Sequence, residues 1–312
     1  MNTLRMILVA LPMMLLLACG GGGGGGTTVA PTPMNTPDPM APGTMDDPDM
    51  PPTTTPLTPI QTFQNIASTA DILLVGDINQ ESSGSFVRDA TTNCTGTTCT
   101  TTLPEPGATT FSLSDINGFS LIDDMNLQEF TSDTPSAMSV GDATLIQGTT
   151  TARTGSTQLT FQTYTGWFDS SVFGVEIISI GESLNTRYRF TSYSFGNTTG
   201  TKPMGSSGSA TWMGSAVAVM NNRDFIRGTT TIEIDDLTDS RVDLSISNWV
   251  TPDGQSTSVS DVNIEGMTLE DDGSFKDTNE HIEGYFYGNN HEGVGGVLNN
   301  GTLIGAFGGT RQ

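Results

Sequence analysis

Between Arg241 and Ser247 the chain reads RVDLSIS, with Val242, Leu244 and Ile246 on one side and Arg241, Asp243, Ser245 and Ser247 on the other. Period-two alternation of this kind fits a strand with one buried face and cannot be laid out as a helix. The pattern recurs in TTTIEID with Ile232 and Ile234, and in DVNIEG with Val262 and Ile264. In HIEGYFYG, Ile282, Gly284 and Phe286 alternate with Glu283, Tyr285 and Tyr287. Turn signals separate the runs: Asn221-Asn222, Asp235-Asp236, TPDG at 251–254, DDG at 271–273, Asn289-Asn290 and Asn299-Asn300-Gly301. The spacing predicts eight antiparallel strands from about Ser209 onward, enough to close a small barrel and remove its edges. A membrane-spanning barrel would show an apolar band outward. Here Asp, Ser, Glu and Thr point outward, so a soluble barrel filled by its own side chains is expected, with no room inside for a pocket. The one helical signal precedes it, at Phe63 to Ala70.

The start of the chain concerns placement rather than fold. Arg5 is followed by an apolar run from Met6 to Ala18 that is too short to span a bilayer as a helix. It has the length of an export-signal core. Leu16, Ala18 and Cys19 resemble the lipobox of bacterial lipoproteins, and that resemblance implies cleavage after residue 18 and acylation of Cys19, palmitate included. Gly20 stands where an aspartate would favour inner-membrane retention. Seven glycines and a Thr, Pro, Met and Asp stretch follow, with nothing to bury, which reads as a disordered tether over 19–62. Met34, Met40, Met45 and Met50 lack any accompanying histidine or cysteine and read as linker filler rather than a copper site.

The chain carries 34 acidic and 11 basic residues, a net charge of −23. That excludes nucleic acid as a natural partner, because phosphate contacts need clustered Lys and Arg. Three cysteines are present. With Cys19 assigned to the anchor, Cys94 and Cys99 remain, separated by four residues rich in Thr and Gly. An exported chain meets an oxidising compartment, so the pair is expected to form a short disulfide across a hairpin tip. No further ligands accompany it as a metal site would need.

The stretch GSATWMGSAVAV (208–219) and the closing run IEGYFYGNNHEGVGGVLNNGTLIGAFGGTRQ resemble the barrel signature of transferrin-binding protein B and related surface lipoproteins. Gly284, Phe286, Tyr287, Gly288, Glu292, Val294, Gly295, Gly296, Gly305, Ala306, Phe307, Gly308 and Arg311 fit the family's glycine and aromatic spacing. YTGWFDSSVFGV (164–175) and SYSFGNTTGTKP (192–203) resemble the segment before that barrel. The resemblance covers roughly residues 160–312. It implies a division into a signal peptide (1–18), the tether (19–62), a smaller strand-rich handle domain (63–200) and the barrel (201–312). The family's namesake has two such lobes; its transferrin-binding loops are not recognisable here. Every matched residue is structural, so the resemblance implies the fold and not the ligand.

No catalytic constellation is legible. His281 and His291, the only histidines, flank one strand and are placed to approach each other across a hairpin. A haem or metal site would draw on them with Tyr285 or Tyr287; both read instead as exposed polar residues of a hairpin. The expectation is a non-enzymatic protein without cofactor or metal, a monomer held on the outer-membrane surface of a Gram-negative bacterium by its lipid. Its candidate role is a binding module for an iron or haem carrier, or another solute or protein, beside an outer-membrane receptor. The alternative is a structural or interaction lipoprotein of the envelope with no small ligand. For a ligand surface the candidates are Tyr164, Trp167, Phe168 and Phe173, a glycine-interrupted aromatic stretch expected to be exposed. The competing expectation for these four is packing between handle and barrel.

Overall fold

The structure is a computed structural model that describes residues 59–80, 86–87, 91–102, 108–112, 128–131, 143–154, 157–180, 187–279 and 281–312. The leader, Cys19 and the tether up to residue 58 lie outside the described residues. One helix, α1 (Pro59–Thr69), leads into β1 (Ile72–Gln80), β2 (Phe86–Val87), β3 (Thr91–Thr95), β4 (Thr98–Thr102), β5 (Ala108–Ser112) and β6 (Gln128–Thr131). Four long strands follow: β7 (Thr144–Thr154), β8 (Thr157–Trp167), β9 (Ser171–Ile180) and β10 (Arg187–Gly196). The barrel strands are β11 (Ala210–Met220), β12 (Phe225–Ile234), β13 (Arg241–Val250), β14 (Val262–Leu269), β15 (Ser274–Lys276), β16 (Ile282–Tyr287), β17 (Gly293–Asn299) and β18 (Leu303–Arg311).

The alternating faces decide the barrel. β11 to β18 form a closed antiparallel ring in sequence order, completed by β18 pairing with β11 from Trp212↔Arg311 to Met220↔Leu303. Val242, Leu244, Ile246, Ile232 and Ile282 all turn inward, as their spacing requires, and are 2 % exposed or less. Each such side chain contributes on the order of 1.5–3 kcal/mol by leaving water. An aromatic column runs through the interior: Trp212 on Phe286 at 4.6 Å, Phe286 on Phe275 at 5.4 Å, Phe275 on Phe307 at 6.4 Å. The near rim carries the turns at 235–240, 270–273 and 288–292; the far rim carries those at 221–224, 251–261, 277–281 and 300–302.

The handle is a seven-stranded sheet in the order β2-β1-β10-β9-β8-β7-β6, with β3-β4-β5 as a separate three-stranded sheet. Its outer face is covered by α1, whose Phe63 and Ile66 pack on Trp167, Val172 and Phe195. The helix starts at Pro59, four residues inside the span read as tether. Cys94 and Cys99 face each other across the β3–β4 hairpin as a disulfide, and Cys99 is buried with Leu73.

The handle's inner face lies on the barrel wall. Leu145, Tyr164, Phe168, Phe173, Val175, Ile177 and Phe190 share one core with Val217, Val219, Phe225, Ile304 and Ala306 of the barrel. This corrects the expected polar exterior: it holds for β13 and β14, whereas β11 is apolar on both sides because the handle covers it. Glycine makes the close approach possible. A Cβ on Gly308 would meet Phe173 at 2.5 Å, and one on Gly214 would meet Phe168 at 2.8 Å. Tyr287 does point away from the interior, yet it is buried under the handle, 3.2 Å from the Ser194 hydroxyl.

Candidate functional site

The aromatic stretch expected to offer a ligand surface is packing. Tyr164, Trp167, Phe168 and Phe173 are 0, 2, 5 and 0 % exposed. Trp167 lies under α1, and the other three lie between sheet and barrel. Alternation along β8 and β9 sends these rings to one face or the other, and both faces are covered. Burial pushes the Tyr164 hydroxyl well above the usual tyrosine range, against a weaker pull from Arg227. Tyr193 is pushed up to about 12, chiefly by burial; its bonds with Thr163 and Thr165 pull it down and the Glu176 carboxylate adds to the rise.

The two histidines do not meet. Ile282 pairs with Leu298 and Tyr287 with Gly293, so His281 and His291 stand at opposite ends of the β16–β17 hairpin. Some 20 Å of strand separates them. His291, at φ 57, is structural: its ring bonds Thr199 and Thr201 at 3.1 and 3.3 Å, and its carbonyl accepts the Trp212 indole N–H at 2.7 Å. Among the described residues no group of three or more His, Cys, Asp or Glu is arranged to hold a metal ion.

The site with binding geometry is an open seam in the barrel wall. β14 pairs with β13 from Val262↔Ile246 to Thr268↔Arg241, bulging where the Gly266 N–H donates to Asp243 Oδ1 at 2.6 Å. On its other side it pairs with β15 at two positions only, Thr268↔Lys276 and Leu269↔Phe275. The cause is local. Asp277 ends β15 after three residues: its Oδ1 accepts the His281 and Ile282 N–H groups at 2.6 and 2.9 Å, and its own N–H donates to the Ile282 carbonyl at 3.2 Å. That capped loop carries the chain directly into β16. Among the described residues, Val262 to Gly266 therefore has no strand along one side.

At the far rim beside this seam lies a cleft of about 600 Å³. Its apolar lining includes Met220, Val262, Ile264, Ile282, Leu298 and Leu303; its polar lining includes Asn221, Asn222, Asp261, Asn263, His281 and Asn300. Much of that rim is fixed. Asn222 bonds Asp224, Asn263 accepts from Ser245 at 2.8 Å, and Asn300 Oδ1 caps Thr302 and Leu303. No Lys or Arg lines the cleft, so an anionic ligand finds no counter-charge there. His281 is its one imidazole. The nearest carboxylate, Asp277 at 3.8 Å, spends both oxygens on backbone N–H groups. The arrangement is that of a rigid groove with an apolar floor, suited to binding. Sequence reasoning missed it because eight strands imply a filled, sealed barrel. The available signal was the short, Asp-terminated run SFKD between two turn signals.

No protein-family model matches the chain, and no curated protein matches it. Among solved structures it is similar to a double mutant of the vaccine antigen transferrin-binding protein B from Haemophilus parasuis Hp5, with 13 % identity and a TM-score of 0.30 over 69 % of this chain and 51 % of that one. It is likewise similar to intact Ap-TbpB, with N and C lobes, at 12 % identity and a TM-score of 0.29 over 69 % of this chain and 52 % of that one. The chain spans about half the length of each.

Proposed function

We propose that this chain is a lipid-anchored, non-enzymatic binding protein of the outer-membrane surface that holds its partner at the open seam of the barrel. The observation that carries the reading is the seam itself: a wall left open for five residues beside an apolar-floored cleft with a fixed rim. The lipobox-like start and the glycine tether support display at a membrane, and the family resemblance makes a protein carrier of iron or haem the first partner to try. Affinity capture from the organism's growth medium tests it. Ser260 is an exposed lining residue of the cleft, so Ser260→Trp should abolish capture, whereas Ser207→Trp, exposed on the loop before β11, should leave it intact. Equal capture by both variants would overturn the assignment of the seam.

A further inference from the structure

We infer that the occupant of the seam is an extended, cationic segment of a partner protein, added to the barrel as a strand along β14. This rests on the seam being the binding site and states how the site is used. From Val262 to Gly266, about 16 Å of strand, one side of the backbone faces no strand among the described residues. An unpaired edge of that kind is a template for an incoming strand, which supplies the missing hydrogen bonds and places alternate side chains on the two faces.

Facing inward, such a strand would set one row of side chains over the floor of Met220, Ile282 and Leu298. Facing outward, its other row would stand beside the exposed carboxylates of Asp261 and Glu265. Two cations stand near them: Lys276 at the last rung of the seam, and Arg241, which shares a surface hollow with Glu265 but pairs with Asp239 at 3.4 Å among Asp235, Asp236 and Asp243. The preferred segment therefore alternates apolar residues with Lys or Arg.

Charge also discriminates among occupants. The chain's own tether carries Asp38, Asp46, Asp47 and Asp49 and is broken by prolines, which have no N–H to donate. A second copy of β14 would bring Asp261 and Glu265 against themselves. Neither suits this edge.

The probe is a short acetylated, amidated peptide alternating lysine and valine, labelled with fluorescein and titrated by anisotropy into the acylated full chain in detergent micelles. It should bind, more weakly as salt rises. The same peptide N-methylated at every second residue keeps its charge but cannot pair; it should bind at least about tenfold more weakly, a loss that non-specific attraction to an acidic protein would not produce. Glutamate in place of lysine should abolish binding. Asp261→Lys with Glu265→Lys, both at exposed positions, should weaken it by a similar factor while circular dichroism stays unchanged. Absence of binding, equal binding of the N-methylated peptide, or indifference to the charge reversal would each overturn the inference. If natural capture is lost in Ser260→Trp while the lysine peptide fails to bind, strand addition is refuted and the seam stands as the site. If capture survives Ser260→Trp, the site assignment itself falls.

Discussion

Single atoms decide whether handle and barrel fit. The space opposite Gly308 is taken by the Phe173 ring, and that ring is held by stacking on Phe168 at 5.9 Å. Gly308→Val should destabilise the protein by about 1–3 kcal/mol, as overpacking does. Gly284→Ala should do the same from inside, because the Phe275 ring already fills the place the new methyl would take. Urea titrations check both, and an unchanged midpoint would contradict the packing described. The buried phenols add a pH dependence. An unfolded tyrosine ionises near 10 and Tyr193 in the fold near 12, so between these values the unfolded chain binds fewer protons. The contribution of these phenols should be constant up to about pH 9 and then fall, by up to about 1.4 kcal/mol per pH unit for each of them. Tyr164 and Tyr287 are raised in the same direction and steepen the fall. Urea midpoints taken up to about pH 11 read this directly, and Tyr193→Phe should reduce the slope.

At the scale of strands and hairpins, the Cys94–Cys99 bridge closes a very short loop. Reducing it should cost about 2 kcal/mol by loop entropy and lower the melting temperature without unfolding the barrel, which its residues do not touch. β14 should show the converse weakness. Backbone amides of Val262–Gly266 should exchange with deuterium faster than those of β17 and β18, which are paired on both sides. Much of the element list was legible: period-two runs and turn dipeptides located the β11–β14 and β16–β18 strands, because each of those signals is local. What lay beyond reach was what covers a face. Val217 and Val219 alternate with Ala216 and Ala218, and no local pattern tells that a second sheet lies on the outer row. For the same reason the rings from Tyr164 to Phe173 were as compatible with a ligand surface as with an interface. The seam escaped because it is an absence of pairing, set by the Asp277 carboxylate turning back on Ile282 rather than by any run of residues.

Among the described residues, handle and barrel share one continuous junction core. Handle and barrel should therefore unfold together, with far-ultraviolet dichroism and tryptophan fluorescence tracing one transition; two separated transitions would deny the shared core. In cells, Cys19→Ala should abolish labelling by palmitate, and persistent labelling would refute the anchor. The pairing of β11 with β18 has a kinetic consequence. Trp212 and Arg311 are neighbours across that rung, so the last contact to complete the ring joins segments far apart in sequence, and no hairpin can stand in for it. Proteins dominated by such non-local contacts refold in milliseconds to seconds rather than microseconds. Until β18 arrives, the β11 edge is bare, which is the interval in which a refolding chain is most open to self-association. Dilute refolding should accordingly give higher yields than concentrated refolding, and a mutation that slows β18 docking should act on yield before it acts on stability.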